Sequence, residues 1–528
     1  MEQKIEAEKG TQDLSVLNNS IFNRNQRQLL LIAAAVSSGC GLAVELLLGT
    51  LASYLVGNQA LAYGIAVGGF LAAMGVGSYL SQFVATKARG TVLQKQLLTG
   101  FVFVELAIAP LTAILPLALF ALFIIDGAIW LELFLVTILL GVLAGLEVPL
   151  LTRALESEEG VKDALAGVLA LDYLGALVGS LAFPVLLLPW LGMFPTAFVL
   201  GSLPAFMVFF ICRNFGKLRR WGYLGLVLGV ILLTLAPVSI PLSNRLENNL
   251  YQAPIITRTQ TPYQRIILTR KGKDVRLFLN GDLQLSTVDE YRYHEALVHP
   301  AMSATSNHQK VLILGAGDGM AVREVLKWQD VEKVKLIELD PEVIKLASNH
   351  PLLLKVNQNA LSDSKVEILN ADAFLEVPKL KENFDVIIAD FPDPDQDSLA
   401  KLYSEGFYRR LLARLTDNGI LVTQASSPFF APKVISCIST TLTQVGLETH
   451  PYTVNVPSFG PWGFVLASRN HLNSERLQLP VKTSFLTEVN LHHLFDLPKD
   501  IQIQDTEINR LSHPVIVRYQ NDSRWLSY

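Results

Sequence analysis

Cysteine and charge are both scarce in this chain. Its three cysteines, Cys40, Cys212 and Cys437, lie far apart in 528 residues, which excludes a disulfide framework and a cysteine-ligated metal site. Charged residues make up only 17% of the chain and hydrophobic residues 51%, which is too apolar for an ordinary soluble protein. The net charge of -4 gives no electrostatic reason to bind nucleic acid. The sequence therefore predicts no metal and no nucleic-acid partner, and its apolar excess indicates a membrane segment.

The apolar residues are concentrated between residues 29 and 243, after a polar N-terminal tail at 1–28. Each apolar run in that stretch is longer than the roughly 18 residues that indicate a transmembrane helix. We therefore expect a multi-pass α-helical transmembrane domain of seven helices in the lipid bilayer of the cell membrane. The runs lie at about 29–57, 61–84, 97–125, 129–152, 165–191, 193–212 and 221–243.

Basic residues occur in alternate loops between these runs. Lys87 and Arg89, then Arg153 and Lys162, then the group that ends at Arg220, are separated by loops that contain none. Because cytoplasmic loops carry the excess of Lys and Arg, the N-terminus is predicted to be cytoplasmic. Seven spans would then leave the second half of the chain on the opposite side of the membrane.

Several acids lie within these runs or near their ends. An acid at the bilayer centre costs roughly 2.5 to 3.5 kcal/mol on insertion scales, so such residues are functional candidates. The alternative is that they pair with Arg153, Tyr173 or backbone groups inside the bundle. Small residues at 64–69 and 175–179 predict two places of close helix packing. The acids are Glu45, Glu105, Glu132, Glu147 and Asp172.

The second half of the chain has a globular composition and two kinds of strand pattern. From 250 to 300, short β-rich runs alternate with turn residues and predict a small antiparallel sheet of hairpins, followed by a helix. From 301 to 470, strands alternate with helices, which predicts an α/β Rossmann-like domain with a doubly wound parallel sheet. Its strands are expected at 311–314, 333–338, 365–370, 384–389 and 418–424, and a C-terminal extension follows at 471–528.

The first of these strands leads into a glycine-rich turn that contains an unusual acid. Gly315, Gly317 and Gly319 alternate after the apolar run 311–314 and before a helix, a pattern typical of nucleotide-binding turns. Such turns offer backbone N–H groups and the positive end of a helix to an anion. Asp318, at the tip, would repel a phosphate and attract a cation. Its alternative role is to cap the following helix.

Acids follow the other strands as well, at the edge of the sheet where ligands bind. Glu338 lies about twenty residues after the glycine turn, where a ribose-binding acid is expected. Asp372 follows the third strand, although it could instead cap the turn at Ala373. Asp390 ends the fourth strand, and Asp393 follows in a loop stiffened by prolines. The absence of a Lys-Ser/Thr pair after the glycines excludes a P-loop, so the pattern favours S-adenosylmethionine or a dinucleotide.

The surplus of carboxylates narrows this choice. S-adenosylmethionine has a carboxylate that Asp318 would oppose, whereas its decarboxylated form presents an ammonium that Asp318 would attract. A diamine acceptor is also cationic and could be held by Asp393. One nitrogen of the diamine must lose a proton before it attacks the carbon beside a sulfonium, so a carboxylate base is required, and Asp390 is the candidate.

Residues 255 to about 470 resemble the polyamine aminopropyltransferases, the spermidine synthase family. The resemblance implies a fold like that of S-adenosylmethionine-dependent methyltransferases, and decarboxylated S-adenosylmethionine as co-substrate without a prosthetic group. It implies putrescine as acceptor, spermidine and methylthioadenosine as products, and a homo-oligomer. The first half resembles the transmembrane segment of some bacterial members. The matching blocks are Tyr263-Gln264, Asn280 to Gln284, Asp289 to Glu295, Gly315 to Gly319, Glu338 to Asp340, Asp372-Ala373, Asp390 to Pro394, Tyr403 to Tyr408 and Val456 to Gly460.

The same resemblance implies roles for individual residues. The amine groups would be contacted by Asp318, Tyr293 and His294, the proton accepted by Asp390, and the far end of the diamine bound by Asp393. The donor, with its thioadenosine part, would be bound by Gln264, Gly315, Gly317, Asp318, Gly319, Glu338, Asp372 and Ala373.

Two departures from the family pattern leave the acceptor open. The usual Asp-Ser-Ser/Thr-Asp-Pro loop reads Asp390-Phe-Pro-Asp-Pro here, and Phe459 replaces a tyrosine whose hydroxyl would meet the acceptor amine. The alternatives are another polyamine as acceptor, a methyltransferase, or a non-catalytic polyamine transporter or sensor. Since the donor is made in the cytoplasm, the enzyme interpretation needs the second half there. Either the run at 221–243 does not cross the membrane or the orientation inference fails.

Overall fold

The computed structural model describes residues 22–56, 59–86, 88–125 and 129–521. The chain divides between Gln252 and Ala253 into two compact units. Most of the predicted polar tail lies outside the described residues, and helix α1 already begins at Arg24, within that tail. The finer domain boundaries stay a prediction.

The first unit is helical, as expected from an almost uninterrupted apolar sequence. In the described residues, seven helical segments are long and apolar enough to cross a membrane, judged by length and composition. Two of them, 130–156 and 161–191, are joined through α4, where the sequence predicted two separate runs. The linking residues contain no proline, so the helix is not interrupted there. The helices are α1 (Arg24–Val56), α2 (Gln59–Leu80), α3 (Gly90–Ile124), α4 (Ile129–Ala182), α5 (Leu188–Leu191), α6 (Met193–Asn214) and α7 (Arg219–Leu250), with a π-helical turn at Phe183–Leu187 and 3₁₀ turns at Ser81–Phe83 and Gly216–Leu218.

Glycines in α4 allow close contact with its neighbours. A Cβ at Gly175 or Gly179 would lie 1.9 or 2.1 Å from a carbonyl oxygen of α1, so the predicted close packing at 175–179 is confirmed. The prediction for 64–69 is wrong for Gly64 and Gly68, because a Cβ at either would have open space. The close approach to α2 comes instead from Gly145, where a Cβ would lie 2.1 Å from a carbonyl oxygen.

The acids of the first unit do not pair with the residues suggested from the sequence. Glu105 accepts a hydrogen bond from the Ser37 hydroxyl. Arg153 donates instead to two backbone oxygens at 2.6 and 3.0 Å, and Tyr173 is mostly exposed. The proposed pairing with Arg153 and Tyr173 is therefore wrong. Buried acids of this unit also include Glu45 and Glu147, and Asp172 is half-buried.

The second unit begins with the predicted antiparallel hairpins. The four strands pair in sequence order, and Asn280 and Gly281 form the last turn with φ values of 53° and 102°. Both residue types tolerate this left-handed conformation. The strands are β1 (Ile255–Gln260), β2 (Arg265–Lys271), β3 (Asp274–Leu279) and β4 (Asp282–Ser286), and helix α8 (Glu290–Ser303) follows.

A seven-stranded sheet forms the centre of this unit. Its order is β10-β11-β9-β8-β5-β6-β7, in which β5 to β9 are parallel and β10 and β11 are antiparallel at one edge. The five predicted strands are present. The strands are β5 (Lys310–Gly315), β6 (Lys333–Glu338), β7 (Val366–Asn370), β8 (Phe384–Asp390), β9 (Leu415–Gln424), β10 (Glu448–Val456) and β11 (Gly460–Ser468).

Helices cover both faces of the sheet. Val311 and Ile313 of β5 belong to one buried cluster, whereas Leu312 and Leu314 belong to another. Successive side chains of a strand point to opposite faces, so a strand buried on both sides is apolar throughout. The helices are α9 (Met320–Val325), α10 (Pro341–Asn349), α11 (Pro351–Asn357), α12 (Ala373–Glu376), α13 (Asp397–Ala400), α14 (Glu405–Leu412), α15 (Pro432–Gln444), α16 (Glu488–His493) and α17 (Val515–Gln520), with 3₁₀ turns at Ala360–Ser362, Val377–Lys379, Lys401–Tyr403 and Ser474–Arg476.

The C-terminal extension packs on this sheet domain. Buried Glu295 of α8 accepts hydrogen bonds from the backbone N–H groups of Ser484, Phe485 and Leu486 at 2.5 to 2.9 Å. Leu491 lies in the same apolar cluster as the β5 core residues. The extension is therefore anchored by both charge and apolar contact.

Candidate active site

The glycine turn after β5 lies beside the end of β8. Gly315 and Asp390 are register partners in the parallel pairing of these strands. The strand order reverses here, because β6 and β7 lie on one side of β5 while β8 and β9 lie on the other. Gly315 has a φ of +79°, and a Cβ there would lie 2.0 Å from the backbone oxygen of Asp390. The turn and the acid meet at the ligand-binding edge only because this position is glycine.

Gly317 lies against Glu338. A Cβ at Gly317 would lie 2.8 Å from Glu338 Oε2. Glu338 Oε1 accepts a hydrogen bond from the Asp340 backbone N–H at 3.0 Å, and the Gln264 amide donates to Asp340 Oδ2 at 3.0 Å. Burial raises the pKa of Glu338 to about 7, the Asp340 N–H opposes this, and the charges of Asp340 and Asp318 add to the rise. The structure thus brings the expected ribose acid, the glycine turn and Gln264 together.

Asp318 caps helix α9 and also faces His294. Its Oδ1 accepts a hydrogen bond from the Met320 backbone N–H at 2.8 Å, which is the capping role that the sequence left open. Its Oδ2 lies 3.8 Å from His294 Nε2. Capping therefore uses one oxygen, and the other faces the site.

A buried chain of charges supports His294. His294 Nδ1 lies 2.9 Å from Glu290 Oε2, and Arg323 donates two hydrogen bonds to Glu290 at 2.8 and 3.0 Å and one to Glu324 at 2.8 Å. Burial lowers the pKa of His294, but the hydrogen bond to Glu290 and the charges of Asp318 and Glu290 outweigh it and raise the pKa to about 9. His294 is therefore a cation at neutral pH.

Asp390 is paired with Tyr293. The Tyr293 hydroxyl donates a hydrogen bond to Asp390 Oδ1 at 2.5 Å. Burial raises the pKa of Asp390 to about 6, whereas cationic His294 and the Tyr293 hydroxyl lower it and the charge of Asp318 raises it. A carboxyl group that titrates near neutrality is suited to accept a proton.

Asp393 is surrounded by neutral donors. Its Oδ1 accepts hydrogen bonds from the Ser426 hydroxyl at 2.7 Å and the Gln424 amide at 3.3 Å, and its Oδ2 accepts one from the Gln520 amide at 3.0 Å. Burial raises the pKa of Asp393, and these hydrogen bonds oppose the rise. Sequence reasoning missed all three donors. Ser426 and Gln424 follow the fifth predicted strand and could have been found there, but Gln520 lies 127 residues after Asp393.

Asp372 and Ala373 lie at the start of α12. Asp372 Oδ1 accepts a hydrogen bond from a backbone N–H of α12 at 2.9 Å, so the capping alternative is observed here too. Its Oδ2 accepts one from Lys401 at 2.8 Å, a partner that the sequence did not indicate. The backbone N–H of Ala371 donates to the carbonyl of Glu338 at 3.0 Å, which places this segment beside the expected ribose acid.

Phe459 lies in an aromatic wall beside Tyr293. The Tyr293 ring centroid is 6.1 Å from that of Phe459 and 6.2 Å from that of Trp462. Asp289 holds the turn that carries Phe459, because it accepts hydrogen bonds from the backbone N–H and hydroxyl of Ser458 at 2.6 and 2.9 Å. The wall offers apolar surface to methylene groups.

The carboxyl ends of β5, β6 and β8 thus surround one site with acids on several sides. Glu338 and Gln264 lie on the β6 side, and Asp390 and Asp393 on the β8 side, with Asp318 between them in the turn. This arrangement suits a nucleoside ligand and positively charged amines, and its central carboxyl can accept a proton.

Comparison with known proteins agrees with this geometry. The spermine/spermidine synthase domain model matches residues 290–477. A polyamine aminopropyltransferase of Leptospira interrogans is 40% identical over 511 residues, which cover 94% of this chain and 98% of that protein. Polyamine aminopropyltransferase 2 of Ralstonia nicotianae is 40% identical over 93% of this chain and 97% of its own length. The polyamine aminopropyltransferase of Oceanobacillus iheyensis is 38% identical over 95% and 98%.

Among solved structures, a spermidine synthase in complex with the transition state analogue AdoDATO is 30% identical, over 46% of this chain and 85% of its own, with a TM-score of 0.44. The curated relatives match nearly the whole of both chains, including the helical first unit. The expected family is therefore confirmed: this chain belongs to the polyamine aminopropyltransferases and is an enzyme of that class.

Proposed function

We propose that this enzyme transfers the aminopropyl group of decarboxylated S-adenosylmethionine to putrescine, giving spermidine and methylthioadenosine. The observation that carries the proposal is the position of Asp390. Its carboxyl group lies beside the glycine turn, has one oxygen held by Tyr293, and has a pKa raised by burial to about 6. A base with this pKa is ionised at neutral pH and can take a proton from an amine.

The donor is bound along the β5 and β6 side of the site. Glu338 accepts hydrogen bonds from the ribose hydroxyls, supported by the contact of Gln264 with Asp340. Asp318 holds the ammonium of the aminopropyl arm with its Oδ2. A cationic His294 would repel that ammonium, so we assign it a positioning role beside Asp318 instead of a direct amine contact.

The acceptor lies along the β8 side. Its methylene groups pack on the aromatic wall of Tyr293, Phe459 and Trp462, and its far ammonium binds Asp393. Held in this way, the near nitrogen is placed beside Asp390. Binding both reactants in one orientation removes much of the entropic cost of a bimolecular reaction.

The chemical step is a displacement at carbon. Asp390 removes a proton from the near ammonium, and the freed nitrogen lone pair attacks the methylene carbon beside the sulfonium. The new C–N bond forms as the C–S bond breaks, and its electron pair neutralises the sulfur. The products are protonated Asp390, methylthioadenosine and spermidine, and the proton then leaves to solvent.

Incubation of the detergent-solubilised chain with decarboxylated S-adenosylmethionine and putrescine tests the proposal. We expect methylthioadenosine and spermidine in equal amounts, measured by chromatography. Parallel reactions with other diamines and with spermidine test the alternative acceptors that Phe459 leaves open. Absence of product with every amine would contradict the proposed reaction.

We further propose that the first unit anchors the enzyme in the cell membrane and that the second unit is cytoplasmic. The support is the length and apolar composition of the seven helical segments, together with the need for a cytoplasmic donor. A reporter fused after the last residue should be active only when it is folded in the cytoplasm. An extracytoplasmic signal would contradict this orientation. A homo-oligomer stays a prediction.

A further inference from the structure

The C-terminal extension reaches the acceptor side of the site. The Gln520 amide donates to Asp393 Oδ2 at 3.0 Å, and the Asn521 amide donates to the backbone oxygen of Asp395 at 2.9 Å. Buried Val515 and Ile516 fix the start of α17 in the apolar core. The last described residues therefore form part of the wall around Asp393, although the family domain match ends at residue 477.

Two oxygen atoms in this wall have no hydrogen-bond donor in the described part of the chain. They are Gln520 Oε1 and Asp395 Oδ1, and both are buried. A buried acceptor without a donor is costly, so a ligand or water is expected to satisfy each of them. An ammonium group brings three N–H donors and could satisfy more than one acceptor at once.

The charge of the surroundings favours a cation over water. Burial raises the pKa of Asp395 to about 7, and the negative charges of Asp282 and Asp393 raise it as well. Several carboxyl groups therefore share this corner, with neutral donors as their closest partners in the described residues. Asp393 already accepts three hydrogen bonds, and a carboxylate offers about four acceptor positions, so one position remains for the ligand.

We propose that Gln520 binds the far ammonium of the acceptor amine together with Asp393 and thereby limits the length of amine that the enzyme accepts. The inference rests on the proposed function. The Gln520 carbonyl accepts one N–H of the ammonium while its amide keeps Asp393 in place. A longer amine would have to displace the Gln520 side chain, whereas a shorter one would not reach it.

Kinetics of the full chain in detergent test this role, with diamines of three, four and five carbons and with spermidine as acceptors. Gln520→Ala should raise the KM for putrescine about tenfold or more, the effect of losing a hydrogen bond to a charged group, and leave kcat within about twofold. The preference for putrescine over the five-carbon diamine and spermidine should fall. The matched control is Arg518→Ala, which removes an exposed partner of Glu507 in the same helix and should leave every KM unchanged.

Gln520→Glu separates ligand binding from a purely structural role. A carboxylate at this position would attract the ammonium, so the KM for putrescine should be lower than in Gln520→Ala. If Gln520 only fixed the segment on Asp393, the added charge would repel Asp393 and make Gln520→Glu the poorer variant, which would overturn the inference. An unchanged KM and unchanged preference in Gln520→Ala would overturn it as well. Either result with an active wild-type chain leaves the proposed function standing, whereas a wild type inactive with every amine removes both.

Discussion

Tyr293 donates its hydroxyl hydrogen to Asp390 Oδ1 over 2.5 Å. The two residues lie 97 positions apart, one in α8 and the other at the end of β8. Burial and the adjacent charge of Asp390 raise the pKa of Tyr293 above its ordinary value, so the phenol stays protonated and remains a donor. This contact fixes one oxygen of the proposed base and leaves the other for the amine.

Tyr293→Phe should shift the pH dependence of the reaction. The hydroxyl stabilises the ionised form of Asp390, so its loss raises the pKa of this carboxyl group above about 6. Because the base works only when ionised, kcat/KM for the acceptor should fall more at pH 6 than at pH 8. The pH–rate profile measures this shift. Tyr452→Phe is the control, since its buried hydroxyl donates to the Ala296 backbone oxygen, and it should leave the acid limb unchanged.

Asp390→Asn should abolish the proposed proton acceptor without removing the donor site. We expect kcat to fall by about 10²- to 10⁴-fold, the usual contribution of a positioned acid or base. Donor affinity, measured by calorimetry with decarboxylated S-adenosylmethionine, should change little. The exposed Asp397→Asn, close in the chain, should behave like wild type. An unaffected rate in Asp390→Asn would falsify the assignment of the base.

Gly317→Ala should weaken donor binding selectively. A Cβ at this position would lie 2.8 Å from Glu338 Oε2, so the expected ribose acid would have to move. We expect the KM for the donor to rise on the order of tenfold to a hundredfold, with the KM for the acceptor little changed. Gly315→Ala should be more severe, because the clash there is with backbone at 2.0 Å and the φ is +79°. Equal donor KM values in Gly317→Ala and wild type would contradict this account.

Arg323→Met should destabilise the second unit. Arg323 is the buried partner of both Glu290 and Glu324, and removing one member of a buried ion network costs about 3 to 5 kcal/mol. Arg409→Ala, which breaks an exposed pair with Glu405, should cost only about 0 to 1 kcal/mol. Chemical unfolding of both variants in the same detergent compares them. Equal midpoints for the two variants would show that the buried network does not stabilise the fold.

Local patterns predicted much of the fold. The apolar runs 311–314 and 384–389 form β5 and β8 because strands buried on both faces need continuous apolar sequence. The hairpins were predictable from turn residues such as Asn280 and Gly281. The edge strands β10 and β11 were not predicted, although β10 was touched by the matching block at 456–460.

The candidate site was predictable in part for a similar reason. Asp318, Glu338, Asp372 and Asp390 each follow a strand, and the carboxyl ends of parallel strands meet at one edge of the sheet. Lys401 and Gln520 were not predictable, because their contacts with Asp372 and Asp393 depend on segments far away in sequence. His294 was named as an amine contact, but its charge, set by Glu290 and Asp318, favours a positioning role.

By itself, the sequence determined the strands, the glycine turn and the acids that follow them, because backbone preference and apolar periodicity act over a few neighbouring residues. The tertiary structure decided which oxygen of each acid is free. Asp318 and Asp372 each use one oxygen to cap a helix, and Asp390 gives one to Tyr293. It also decided the protonation of His294 and Asp390 and the arrival of Gln520 at Asp393. These properties depend on burial and on charges brought together by folding, which no local pattern encodes.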